Sequence, residues 1–225
     1  MLKAKITDLK RELIGFASLV EHMIEKSING LLDKKRESLL EILENDEPKA
    51  NSLELELDEL CTTLIAQFEP RAKDLRTILM IAKMSNDLER MGDHAVNIAE
   101  SSLFLIERPL VKSMLDIPRM AELTANMLRD SIDSFINEDT TLAKEVCERD
   151  SMVDDLKDQL LRELITFMSS DSTTIERSLH LIRISGNLER IADLSTNICE
   201  DVIFVAKGKV IKHHIWNGKE EEKSE

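Results

Sequence analysis

The segment "DLERMGDHAVNIAE", residues 87–100, returns as "NLERIADLSTNICE" at residues 187–200. Between Leu88–Glu100 and Leu188–Glu200, seven of thirteen residues are identical, and Glu, Asp, Asn and Glu hold register in both copies. An offset of one hundred residues in a chain of 225 implies two similar halves. The repetition reaches beyond this motif. "KSINGLLDKKRESLLEILEND" parallels "DSIDSFINEDTTLAKEVCERD" in apolar spacing, and Leu53 in "NSLELELDEL" falls opposite Leu156 in "DDLKDQLLREL".

Each half reads as three amphipathic helices. In "ITDLKRELIGFASLVEHMIEKSINGLL" the residues Leu9, Leu13, Phe16, Val20, Met23 and Ile24 recur at three- and four-residue steps, marking one buried face of a helix that ends near Lys34. A second helix is expected over about 37–67, kinked or restarted at Pro48, and a third over about 71–107. The second half repeats the plan over about 118–137, 140–169 and 173–207, with "SSDST" offering an N-cap before the last helix. Hydrophobic residues make up 42% but aromatics only 3%, with six Gly and four Pro, which suits helices and few turns. The expected fold is all-α: two tandem up-down three-helix bundles, six long helices in all. The first bundle spans 1–108, a connection bracketed by Pro109 and Pro118 spans 109–117, the second bundle spans 118–210, and a tail expected to fray spans 211–225.

The duplicated acids need a reason. At 100° per residue, Glu89, Asp93, Asn97 and Glu100 fall at about 0°, 40°, 80° and 20°, one narrow stripe outside the main apolar face. Glu189, Asp193, Asn197 and Glu200 repeat it, with Asp201 extending the second set. A solvated helix flank is the ordinary explanation for such a stripe. Yet Glu89 with Asp93, and Glu189 with Asp193, place like charges four residues apart, at about 0.2–0.5 kcal/mol each. Asp150, Asp154 and Asp158 form a further stripe on the fifth helix. On the second helix either Glu47 with Asn51, or Asp46 with Ala50, occupies the matching place, followed by Glu54 and Asp58. Carboxylates converging from two helices in each half would suit Mg, Mn, Ca or iron ions. His94 reads either as a metal ligand or as a partly exposed surface residue.

Other classes find less support. A net charge of −14 repels a nucleic-acid backbone. Di-metal bundle oxidases use Glu-x-x-His pairs, and no His here has a Glu three residues before it. No G-x-S-x-G elbow or phosphate-cradling glycine loop occurs. A metal-free helical scaffold stays open. Cys61, Cys147 and Cys199, without a CxxC pair, read as reduced, buried small hydrophobes. The charged N-terminus and the lack of long apolar runs lead us to expect a soluble, cytoplasmic chain that meets membranes only through partners.

"DLERMGDHAVNIAE", "NLERIADLSTNICE" and "FEPRAKDLRTIL" together resemble the PhoU family of regulators of bacterial phosphate uptake, over about residues 5–215. The resemblance implies a non-enzymatic adaptor carrying metal clusters on E/D-x-x-x-D motifs. Iron is the first expectation, with Mg, Mn, Zn or Ca as alternatives. Glu89, Asp93, Asp150, Asp154, Glu189 and Asp193 match the motif, and Asn97, Asn197 and Glu47 complete the expected ligand set. The implied partners are the ATPase subunit of the phosphate ABC transporter, a sensor histidine kinase and a second copy of the chain in a homodimer. The implied role is repression of the phosphate-starvation response when phosphate is plentiful. The sequence departs from the family at Pro48, which reads as an extra residue, at Asn51, where the family has Asp, and at Leu194, where the first motif has His94.

Overall fold

Every residue of the apolar stripe read in the first helix is buried inside α1 (Leu2–Leu32), and together they form one side of the core. Each fully buried Leu or Phe contributes about 1.5–3 kcal/mol, so this stripe holds α1 in place far more firmly than helix propensity could. The computed structural model describes residues 1–111 and 116–207. Within them lie six helical runs and no strand. The second run comprises α2 (Arg36–Glu41), a π-helical turn (Ile42–Asp46) and α3 (Glu47–Phe68). After it come α4 (Ala72–Ile106), α5 (Asp116–Asn137), α6 (Thr140–Ser170), a short 3-10 turn (Ser172–Thr174) and α7 (Ile175–Lys207).

The expected disturbance falls at Pro48, which lies in the first turn of α3, but the helical run continues through it. A proline ring clashes with the carbonyl four residues upstream and has no N–H to donate. The chain answers with one wider turn, in which the Glu47 N–H reaches back five residues to the Ile42 carbonyl. A π turn holds one more residue than an α turn, which accounts for the apparent extra residue. Pro118 likewise sits inside the first turn of α5 rather than bounding it, because its missing N–H would have lacked a helical partner there.

The repeat extends to the turns. Lys34 and Glu138 both adopt left-handed backbone, at φ 54°. The following N–H then bonds five residues back in each half, Lys35 to the Gly30 carbonyl and Asp139 to the Ser134 carbonyl, both at 2.9 Å. Gly30 is required where it stands: a Cβ there would lie 2.5 Å from Cδ2 of fully buried Leu39. Asp139 caps α6 by accepting from the N–H groups of Thr141 and Leu142, and the "SSDST" signal is realised as Asp171 accepting from the Thr173 N–H.

α1, α2–α3 and α4 form the first bundle, and α5, α6 and α7 the second. The bundles join along two antiparallel helix pairs. In one, Lys10 lies over the Phe135 ring and Arg129 pairs with Glu21, setting α1 against α5. In the other, α4 lies against α7. Lys83 Nζ reaches Asp201 Oδ1 at 2.7 Å, His94 meets Asn187 at 2.8 Å, and Arg177 donates to the Pro109 carbonyl. Residues 112–115 of the expected connection, and the whole tail 211–225 with its expected fraying, lie outside the described residues.

Asp201 does not extend the acidic stripe. It is buried in the seam between the bundles, as is Asp87 from α4. Burial pushes the Asp201 carboxyl up to about 6, against the pull of Lys83, because half-exposed Lys83 cannot replace the water that Asp201 has lost. An unfolded chain ionises this group near pH 4, whereas the folded chain keeps its proton to about pH 6. The stabilisation from that retained proton is full below pH 4 and lost as pH rises through 6. Asp201→Asn should therefore gain on the wild type between pH 4.5 and pH 7.5, by on the order of 2 kcal/mol in thermal melts. Parallel pH profiles for the two proteins would contradict the burial argument.

Candidate functional site

In the first half, α3 meets α4 at a pair of small residues. A Cβ on Gly92 would lie 3.8 Å from the Ala50 Cβ and 3.7 Å from Met23 Cε. Glu89 and Asp93 flank Gly92 on α4, and Glu47, Asn51 and Glu54 flank Ala50 on α3. This settles the register on α3. Ala50 is buried, and Asp46 turns away to bind Lys26 at 2.9 Å, so Glu47 and Asn51 occupy the edge. Glu89 is half-buried there, and its carboxyl is held above the usual range by burial, then by Asp93 and Glu54, with Arg90 opposing. Glu54 thus stands near enough to act on Glu89, although it lay outside the expected ligand set.

The second half has the same framework with different charges. Val153 and Ala192 are buried, and Asp154 on α6 lies within electrostatic reach of Asp193 on α7, with Asp150 one turn earlier on α6. Burial raises the Asp193 carboxyl first, then Glu189 and Asp154, while Arg190 lowers it. Lys157, one residue beyond Leu156 as Glu54 is one beyond Leu53, reaches Glu189 Oε1 at 3.0 Å. Arg190 spans Asp193 at 3.0 Å and Glu189 at 3.6 Å.

A single difference steers the two arginines. Asp87 draws Arg90 to itself at 3.4 Å, toward the seam. The counterpart of Asp87 is the uncharged Asn187, which leaves Arg190 to turn to the acids of its own helix. Asn187 instead donates from Nδ2 to the Arg183 carbonyl, so its Oδ1 accepts from His94, which carries its proton on Nδ1. His94 thus bridges the two bundles through Nδ1 and is not a free surface group.

The structure brings Asp93 and Glu54 within electrostatic reach of Glu89, and Glu189 and Asp154 within reach of Asp193. Asn97 is exposed and Asn197 half-buried, one turn further along their helices. Glu47 and Asp150 lie on the matching edges of α3 and α6. Among the described residues no three His, Cys, Asp or Glu side chains converge tightly enough to hold a metal ion. All-oxygen donors held partly out of water beside like charges fit a hard cation in their chemistry, though they form no closed cage.

Two tandem three-helix units, seamed through α4 and α7 and edged with duplicated carboxylates, define a duplicated helical-bundle protein. The profile described as the PhoU domain matches residues 13–102 and 117–202, and the chain belongs to the PhoU family. The phosphate-specific transport system accessory protein PhoU homolog of Aquifex aeolicus (strain VF5) is 39% identical over 209 residues, covering 93% of this chain and 94% of that protein. A second homolog of the same description from Pseudomonas putida is 33% identical over 211 residues, covering 93% of this chain and 82% of that one. The crystal structure of PhoU from Pseudomonas aeruginosa superposes with a TM-score of 0.89 at 31% identity, covering 93% of this chain and all of that one. The PhoU regulatory protein of the Streptococcus pneumoniae phosphate transport system gives 0.88 at 28%, with 95% of this chain and all of that one covered.

The charge difference between the halves can be exchanged. Glu54→Lys copies the second group into the first and should bring the Glu89 carboxyl down toward its ordinary range, adding about 0.5–1 kcal/mol of stability. Lys157→Glu copies the first into the second and should raise the Asp193 carboxyl further, at a similar cost. Carboxyl-resolved NMR titration with thermal melts reads both. Shifts of the same sign in the two variants would refute the assignment.

Proposed function

We propose that this protein is a non-enzymatic regulator of phosphate uptake and signalling that works through protein contacts. The observation that carries this reading is the family match across both halves, together with near-complete coverage of a relative named as an accessory protein of phosphate-specific transport. In this reading the chain contacts the ATPase subunit of a phosphate ABC transporter and a sensor histidine kinase, and represses the phosphate-starvation response when phosphate is abundant. It acts as a homodimer on the cytoplasmic side. None of the helices described here is long and apolar enough to cross a membrane, which supports attachment through partners. Deleting the gene in its native host should derepress phosphate-starvation genes in rich phosphate, and retained repression would overturn the proposal.

The acidic edges are the proposed cation sites, with iron first and Mg, Mn, Zn or Ca as alternatives. Glu89 and Asp93, with Glu54 and Glu47 from α3, would hold the ion in the first half, and Asn97 would complete the set. Asp150, Asp154, Glu189, Asp193 and Asn197 would do so in the second. A bound cation would supply the positive charge that these carboxylates lack. A second reading, a metal-free scaffold, is favoured at one place: Lys157 already brings a cation to Glu189.

Chelation separates the two readings. A bound ion adds about 2.7 kcal/mol at a hundredfold excess over its Kd. Chelator should lower the Tm of the wild type and leave that of the Glu89→Gln, Asp93→Asn, Glu189→Gln, Asp193→Asn variant almost unmoved. That variant, metal-free, should equal the wild type or exceed it by on the order of 0.5–1 kcal/mol. A wild type indifferent to chelator, or a variant with full metal content, would establish the scaffold.

A further inference from the structure

The first bundle carries an apolar groove that the acidic edges do not use. It runs between the N-terminal half of α1 and the C-terminal half of α3, has a volume of 580 Å³, and is lined by Leu9, Leu53, Leu57, Leu60 and Leu64. Leu9, Leu57 and Leu64 are buried, but Leu60 keeps 44% of its surface in water. The repeat shows that the fold does not demand a leucine there. Leu53 corresponds to Leu156, so the counterpart of Leu60 is the charged Glu163. An exposed leucine alone is ordinary, whereas one at the rim of a leucine-lined groove marks a binding surface.

An occupant lies within reach. The structure describes α7 as far as Lys207, and residues 208–225 follow it. Lys83 on α4 pairs with Asp201, so the further run to Lys207 carries α7 about 9 Å on, level with the first turns of α4. At that same end α3 passes into α4, with Leu64 one turn before the last residue of α3, Phe68. Two interhelix steps of about 10 Å, from α7 to α4 and from α4 to α3, separate Lys207 from the groove. An extended chain from Lys207 to Trp216 spans about 30 Å. The tail also has the chemistry. Val210, Ile211, Ile215 and Trp216 are apolar, with Lys209, Lys212, His213 and His214 among them. On the groove Asp8 is taken by Arg11, while Glu12 and Glu56 make no ion pair among the described residues. The PhoU profile ends at residue 202, so the tail lies outside the part of the chain that the family model describes.

We propose that residues 209–216 dock in the α1–α3 groove of their own chain, with Ile215 and Trp216 against Leu60 and Leu64 and the tail lysines beside Glu12 and Glu56. The docked tail straps the end of the second bundle to α3, the helix that bears Glu47, Asn51 and Glu54, and keeps the groove from other proteins. The acidic residues 220–222, repelled by Glu12 and Glu56, stay outside it.

Trp216 is the only tryptophan, so its emission reports the docking directly. In the whole wild-type chain the native emission should lie to the blue of the denatured chain, resist acrylamide quenching and stay unchanged on dilution. Leu60→Glu copies the residue of the second half onto the rim. It should move the emission to that of the denatured chain, while circular dichroism and the melting transition show the bundles intact. Zero-length carbodiimide crosslinking of the wild-type monomer, mapped by mass spectrometry, should join Lys209 or Lys212 to Glu12 or Glu56, and this readout needs no variant. Denatured-like emission in the wild type, emission untouched by Leu60→Glu in a folded protein, or tail crosslinks only to other residues would overturn the proposal. So would protection lost on dilution, which places the tail in the groove of a second copy, or protection gained only with phosphatidylserine vesicles, which places it on a membrane.

Discussion

Antiparallel packing of α4 against α7 is the constraint on which the rest of the molecule depends. These helices carry both copies of the duplicated segment, and each also closes its own three-helix bundle. Their inward faces are spent on two tasks: Leu88, Met91, Leu188 and Ile191 fill the bundle cores, while Asp87, His94, Asn187 and Asp201 are drawn into the seam. Only the edges remain for the duplicated acids. Those edges meet α3 and α6, so a carboxylate group in each half follows directly from where the core residues point.

The seam also decides how the two groups differ. A buried carboxylate beside an arginine three residues on will take that arginine, since its burial is otherwise uncompensated. Asp87 therefore pairs with Arg90 and leaves the first edge only its Coulombic pull on Glu89, whereas Asn187 leaves Arg190 to pair with the acids of the second. Glu54 and Lys157 push the same way, one adding an acid and the other a base. The first edge ends up with less compensating positive charge than the second, although it was the first that the Asn51 departure had marked as the poorer in carboxylates.

Much of the fold was legible because it rests on periodicity. The apolar stripe of α1, the helix limits near Phe68, Asn137 and Ser170, and the two-half plan follow from three- and four-residue spacing and from proline positions. Pro48 marked where the helix is disturbed but not how, because a missing hydrogen bond can be absorbed by one wider turn, which leaves no mark in the residue pattern. Asp201 misled for another reason. A helical wheel orders side chains about one axis and carries no information on which second helix will cover a polar flank. The roles of His94, Glu54 and Lys157 needed the same missing knowledge, namely the identity of the neighbour.

The inequivalence of the two edges is the central claim, and Asp87 is the residue on which it turns. Asp87→Asn makes residue 87 match its counterpart and frees Arg90, while leaving every residue of the first acidic edge in place. Carbon-detected NMR titration of the Glu89 carboxyl, in wild type and variant under the same metal-free conditions, measures the consequence. The account predicts that the Glu89 carboxyl moves down toward its ordinary range in the variant, as Arg90 turns to Glu89 and Asp93. An unmoved Glu89 titration in a folded Asp87→Asn protein would contradict it.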